Sequence, residues 1–167
     1  MFRRVEDFLK TWEQERAGTL KILAVLDDGS LSRAVAADSR TLGRLAWHVT
    51  TTLGEMMERT GLRIAGPAQD APVPTSATAI AQAYETASKA VADQVGSAWT
   101  DASLDVLDDM YGEKWPRGVT LFALVTHQTH HRAQMTVLMR QAGLAVPGVY
   151  GPAREEWTAF GMQPPKV

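Results

Sequence analysis

Residues 120–143 read TLFALVTHQTHHRAQMTVLMRQAG, and the spacing within them decides the fold. Leu121, Leu124, Val125, Gln128, Met135, Leu138 and Met139 recur at intervals of three and four. That is the period of an α-helix with one side turned to a core. Gly143 supplies a residue suited to the left-handed backbone that ends helices, so the spacing predicts a helix from Thr120 to Gln141. The same stretch holds three of the chain's four histidines, His127, His130 and His131.

The helical period extends through most of the chain. Val5, Phe8, Leu9, Trp12, Leu20, Leu23 and Leu26 form a first stripe, ending near Asp27-Asp28-Gly29-Ser30. Leu42, Leu45, Val49, Leu53, Met56 and Met57 form a second, from Thr41 to Arg59, with Gly61 as its stop. The prolines of residues 66–74 mark a loop. Ser76 can cap a third helix carrying Ile80, Tyr84, Ala87, Val91 and Val95, which breaks up near Trp99. Gly112 and Pro116 bar a long helix between Asp101 and Gly118, so this segment reads as an irregular crossover. Pro152 can open a short C-terminal helix through Trp157 and Phe160, two residues expected to plug one end of the core. No strand alternation is evident. Four long amphipathic helices joined by a long crossover describe an all-α four-helix bundle, and residues 1–167 suit one domain.

Composition narrows the chemistry. With no cysteine, the chain can form no disulfide, thiolate metal site or cysteine nucleophile. Metal binding must therefore use histidine, carboxylate and water. The 17 basic and 19 acidic residues leave a net charge of −2, without the basic excess of a nucleic-acid binder. The longest apolar-leaning stretch, Gly118 to Thr129, is too short for a membrane span. Acids follow closely on Met1, where a signal peptide needs an apolar run, so a cytoplasmic protein is expected.

His127 and His131 are four apart, which places their Cβ atoms roughly 5–6 Å from each other on one helix face. Two imidazoles so placed can share a divalent ion, and a third ligand must come from a facing helix. His48, midway along the second helix, is the only remaining candidate histidine, because His130 points about 100° away from His131. A His48/His127/His131 site would be open, with coordination positions left for water or substrate. Helix histidines also serve as surface or packed core groups, and spacing alone leaves that alternative standing. The pair differs from the H-E-x-x-H zinc-protease motif because Gln128 stands where that motif needs neighbouring glutamate chemistry.

The string Thr126-His127-Gln128-Thr129-His130-His131-Arg132-Ala133-Gln134 resembles the H-x-x-x-H-R-x-Q signature of the DinB/YfiT-like metalloenzymes. Leu45-Ala46-Trp47-His48 matches that family's first histidine, and Tyr150-Gly151-Pro152 through Glu155-Glu156-Trp157 and Gly161-Met162 resembles its C-terminal pattern. The resemblance implies an up-down-down-up bundle, commonly a homodimer, and a divalent metal, zinc or nickel, on His48, His127 and His131. It does not settle the reaction: characterised relatives include thiol-cofactor-dependent isomerases and S-transferases, in which metal activates a low-molecular-weight thiol, and a three-histidine site can equally activate water. A small-molecule substrate is expected, and the charge balance and hydropathy lead us to expect no nucleic-acid or membrane partner. Any such thiol must be a diffusible cofactor, since the chain has none of its own.

Supporting roles fall to Gln134, three residues after His131, as a partner for a ligand histidine or substrate, and to Glu55, seven after His48. Glu55 can fix an imidazole tautomer or pair with Arg59 at i+4. Arg132 suits either an acidic partner on another helix or solvent. Trp47 suits a pocket wall or bundle packing. The Gly-Pro tail could cover the site as a lid. The alternative to an enzyme is a non-catalytic dimeric helical protein that binds metal or a small ligand, a reading favoured by the lack of an evident general base.

Overall fold

The computed structural model describes residues 1–166. Four long helices form: α1 (Val5–Leu23), α2 (Leu42–Glu58), α3 (Ala77–Ala98) and α4 (Arg117–Gln141). Local chemistry sets their limits. The Thr41 side chain accepts a hydrogen bond from the Arg44 amide at the start of α2, and Ser76 does the same for Ala79 at the start of α3. Past α4, Gly143 takes a φ of +78°, the left-handed turn expected of it.

α1 packs on α3 and α4, and α2 also packs on α3 and α4, so α1 faces α2 across one diagonal. Contacts at the ends set the directions. The Val5 amide donates to Asp101 beyond the end of α3, and the Phe2 amide donates to the Gly118 carbonyl at the start of α4. Arg117 reaches the Thr60 carbonyl just past α2. α1 and α4 therefore run one way and α2 and α3 the other, which is the up-down-down-up order. Phe8, Trp12, Leu53, Met57, Ile80, Tyr84, Leu121, Leu124 and Met135 are wholly buried between them. Gly118 is where chain and chain meet closely: a Cβ there would stand 2.2 Å from the Phe2 carbonyl oxygen.

Two regions depart from the sequence expectation. The segment expected to be irregular contains a β-hairpin, β1 (Leu107–Met110) and β2 (Glu113–Pro116), with Asp108 opposite Trp115 and Met110 opposite Glu113. Its two-residue turn, Tyr111-Gly112, has φ of 61° and 89°, the doubly left-handed geometry that suits the strand twist. The strands are too short for alternation to register. Helix α4 also begins three residues before Thr120, with Pro116 preceding its first turn. The tail forms a 3-10 helix, Arg154–Phe160, but Phe160 is exposed and Trp157 only half-buried, so neither plugs the core. An Arg140–Glu155 ion pair holds this tail along α4. Among the described residues, no helix is long and apolar enough to cross a membrane.

Candidate metal centre

The antiparallel packing of α2 on α4 brings His48 against His127 and His131. The ring centroids lie 4.9 Å apart for His48–His127, 4.6 Å for His48–His131 and 4.5 Å for His127–His131. One nitrogen from each ring falls within a cluster whose members are all within 4.8 Å of one another. The Nε2 atoms of His48 and His127 are 3.1 Å apart. Two nitrogens on a tetrahedral zinc at ordinary bond lengths lie about 3.3 Å apart, so the spacing fits a shared cation.

Protonation favours the same use. Burial strips water from the charged form of His48 and His127, and the neighbouring imidazoles add repulsion, so both pKa values fall to about 4. His131 is also lowered, chiefly by burial, with its hydrogen bond to Gln134 opposing. All three rings are thereby kept as neutral donors near neutral pH. In the metal-free protein this arrangement carries an acid penalty. Below about pH 6.5 the unfolded chain takes up protons that the folded site refuses, so stability falls as pH drops from 6.5 toward 4. Denaturation of chelator-treated protein across that range should show the decline, and it should shrink in His48→Ala; a flat profile would contradict it.

Gln134 lies within hydrogen-bond reach of two imidazoles. Its Oε1 lies 2.7 Å from His131 Nδ1 and its amide nitrogen 3.1 Å from His130 Nε2. With the amide N–H donating to His130, the carbonyl oxygen accepts from His131 Nδ1–H, which leaves the His131 Nε2 lone pair free. His130 thus serves beside the centre and outside the cluster. Gln134→Leu should weaken metal affinity about 10–100-fold without abolishing stoichiometric loading, as read by competition with a chromophoric chelator. In contrast, His127 Nδ1 is buried with no partner among the described residues, so only what faces its Nε2 sets its tautomer.

Glu55 turns elsewhere. Its carboxylate pairs with Arg59 at 2.8 Å and accepts from the Tyr111 hydroxyl at 2.8 Å; it makes no hydrogen bond to an imidazole. Trp47 is buried and donates to the Ala71 carbonyl, pinning the α2–α3 connection instead of lining a pocket wall. Arg132 is buried in an ion pair with Glu15 of α1 and also bonds Thr19 and Tyr150. Sequence reasoning did not single out Glu15, an acid between Trp12 and Leu20 of the first stripe.

His48 and His127 open onto a cleft of about 940 Å³, within the size range of small-molecule sites. Its walls include Arg40, Arg44, Arg59, Tyr111 and Trp115. The hairpin forms one rim: Tyr111 lies under the Arg59 guanidinium at 4.3 Å and 6.2 Å from the Trp115 ring. The tail does not reach this cleft, so the lid expected of it is not formed. The element that overhangs the site is the hairpin, whose Tyr-Gly turn places a bulky residue at positive φ at a cost of roughly 1–2 kcal/mol.

Comparison with known proteins agrees with the geometry. The model of the DinB family matches residues 1–166. YrdA of Bacillus subtilis (strain 168) is 47% identical over 167 residues, covering the whole of both chains. The crystal structure of a DinB-like protein from Bacillus cereus ATCC 10987 superposes with a TM-score of 0.87 at 47% identity, over 90% of this chain and all of that one. A DinB-like protein of Bacillus subtilis, YjoA, shares the fold at a TM-score of 0.68 and 18% identity, over 88% of this chain and 99% of that one.

Proposed function

This chain belongs to the DinB family, and from that premise we propose that it is a metal-dependent enzyme built on His48, His127 and His131. The observation that carries the reading is the convergence of three neutral imidazoles at the edge of a cleft, with no fourth histidine or carboxylate in the cluster among the described residues. A closed four-ligand set would suit a structural ion; three ligands leave positions facing the cleft. A zinc or nickel ion there would supply a Lewis acid able to lower the pKa of water or of a small thiol.

The chain's own residues do the rest. Gln134 fixes the His131 ring, the Arg132–Glu15 pair holds α4 against α1 beside it, and Tyr111 and Trp115 shield one side of the cleft. A thiol reactant would come from solution, since the chain holds no cysteine. The proposal includes pairing of two copies, supported by Phe122 and Val137, which stand exposed on the outer face of α4.

Elemental analysis of untagged, reconstituted protein should give about one zinc or nickel ion per chain. Thermal stabilisation by small thiols, seen only in the metal-loaded form, identifies thiol-dependent chemistry. Stoichiometric metal without a thiol response directs the search to water activation. Wild-type protein that takes up no metal overturns the proposal.

A further inference from the structure

The cleft's charge is opposite to that of the chain. The protein carries −2 overall, yet the cleft wall holds Arg40, Arg44 and Arg59 against a single acid, Glu55. Glu55 is taken up by Arg59 and Tyr111. Among the described residues, Arg40 and Arg44 form no ion pair and their side chains no hydrogen bond, leaving two uncompensated cations on one side of the cleft.

Their position in the fold makes them unusual. Arg44 and His48 are four apart on one face of α2, and Arg40, just before the Thr41 cap of that helix, lines the same cleft as both. Both lie at the N-terminal end of that helix, where the backbone dipole already presents positive charge and no acid occupies the first turn. The helix gains nothing from cations there. They share the cleft with the centre, since Arg40 and Arg44 line it together with His48 and His127. The part of the cleft nearer the C-terminal end of α2 differs in kind, since Tyr111 and Trp115 offer aromatic surface and Arg59 beside them is already neutralised.

We infer that the cleft takes a small anionic substrate, with its carboxylate or phosphate held by Arg40 and Arg44 and its apolar body against Tyr111 and Trp115. This inference rests on the metal-centre reading for the position of the reacting atom, which would sit beside His48 and His127. Guanidinium groups match oxyanions because their planar N–H forks make paired, charge-assisted hydrogen bonds. Substrate selection would then come from the α2 end of the cleft and activation from its floor.

Calorimetric titration of the metal-loaded protein with phenylacetate, phenyl phosphate and neutral 2-phenylethanol tests this. At least one anion should bind about tenfold or more tightly than the alcohol, and the better anion identifies the head group. Arg40→Gln/Arg44→Gln should erase that preference while metal content stays at the wild-type level. Arg3→Gln/Arg63→Gln, which removes the same charge away from the cleft, should keep it. Equal binding of anion and alcohol, or no binding of either anion at millimolar concentration, overturns the inference. So does a preference that survives in Arg40→Gln/Arg44→Gln, which would place the anion on the metal. Chelator-treated protein separates the two readings, because the arginines should still favour the anion when the metal is gone.

Discussion

Replacing Arg132 with methionine should destabilise the protein by about 3–5 kcal/mol, the range for leaving one member of a buried ion pair without its partner. The Arg132 side chain is 3% exposed and that of Glu15 8%, at 2.5 Å. Arg132 also donates to the Glu15 carbonyl and the Thr19 hydroxyl, and Tyr150 donates to the Glu15 carboxylate from the tail. Removing the guanidinium leaves the buried Glu15 carboxylate with Tyr150 as its charge-neutral donor and deletes the Arg132 ties from α4 to α1 and to the tail. At roughly 2–4 °C per kcal/mol for a chain of this size, the melting temperature should fall by about 10 °C. The double variant Glu15→Leu/Arg132→Met should recover much of the loss, since no charge is then buried alone. A fall of less than 1 kcal/mol in Arg132→Met, by denaturant titration, would show that solvent reaches the pair.

The second large effect concerns the metal. His48→Ala and His127→Ala should each weaken binding by more than about 100-fold, beyond the range for losing a supporting contact. The two losses differ in geometry. Without His48, the remaining imidazoles come from one face of α4 and cannot draw α2 into the site. Without His127, the ligands remaining on α2 and α4 lose the nitrogen that stands 3.1 Å from His48 Nε2. His130→Ala is the informative contrast: its ring bonds Gln134 and packs edge-on against His131 at 4.8 Å but offers no nitrogen to the cluster, so loading should stay stoichiometric with affinity reduced less than about tenfold. Chelator competition and elemental analysis read all three variants. Undiminished affinity in His48→Ala would remove α2 from the centre.

The clustering of three histidines was legible because helical spacing converts directly into geometry. His127 and His131 had to share a face, and His130 had to leave it, whatever surrounded them. Gln134 was legible for the same reason. Glu55 was harder: its place on the His48 face is a property of α2, but its partner Tyr111 arrives from a hairpin 56 residues away. That hairpin escaped notice because its four-residue strands are too short to show a period, while Gly112 and Pro116 read simply as breaks in helix. The fate of Trp157 and Phe160 was likewise hidden, since an apolar side chain near a chain end carries no signal of whether a core remains open to receive it.

The sequence by itself determined the four helices, their inward stripes, the absence of any thiol and the division of four histidines into three and one. Each follows from interactions within a few turns of one helix, where a residue's position dictates its direction. Tertiary structure alone decided that Glu15 receives Arg132, that the hairpin and not the tail lines the cleft, and that Arg40 and Arg44, unpaired among the described residues, share that cleft with the imidazoles. Those facts depend on which distant surfaces meet, and the energy of a buried charge or a cleft wall exists only once they have met.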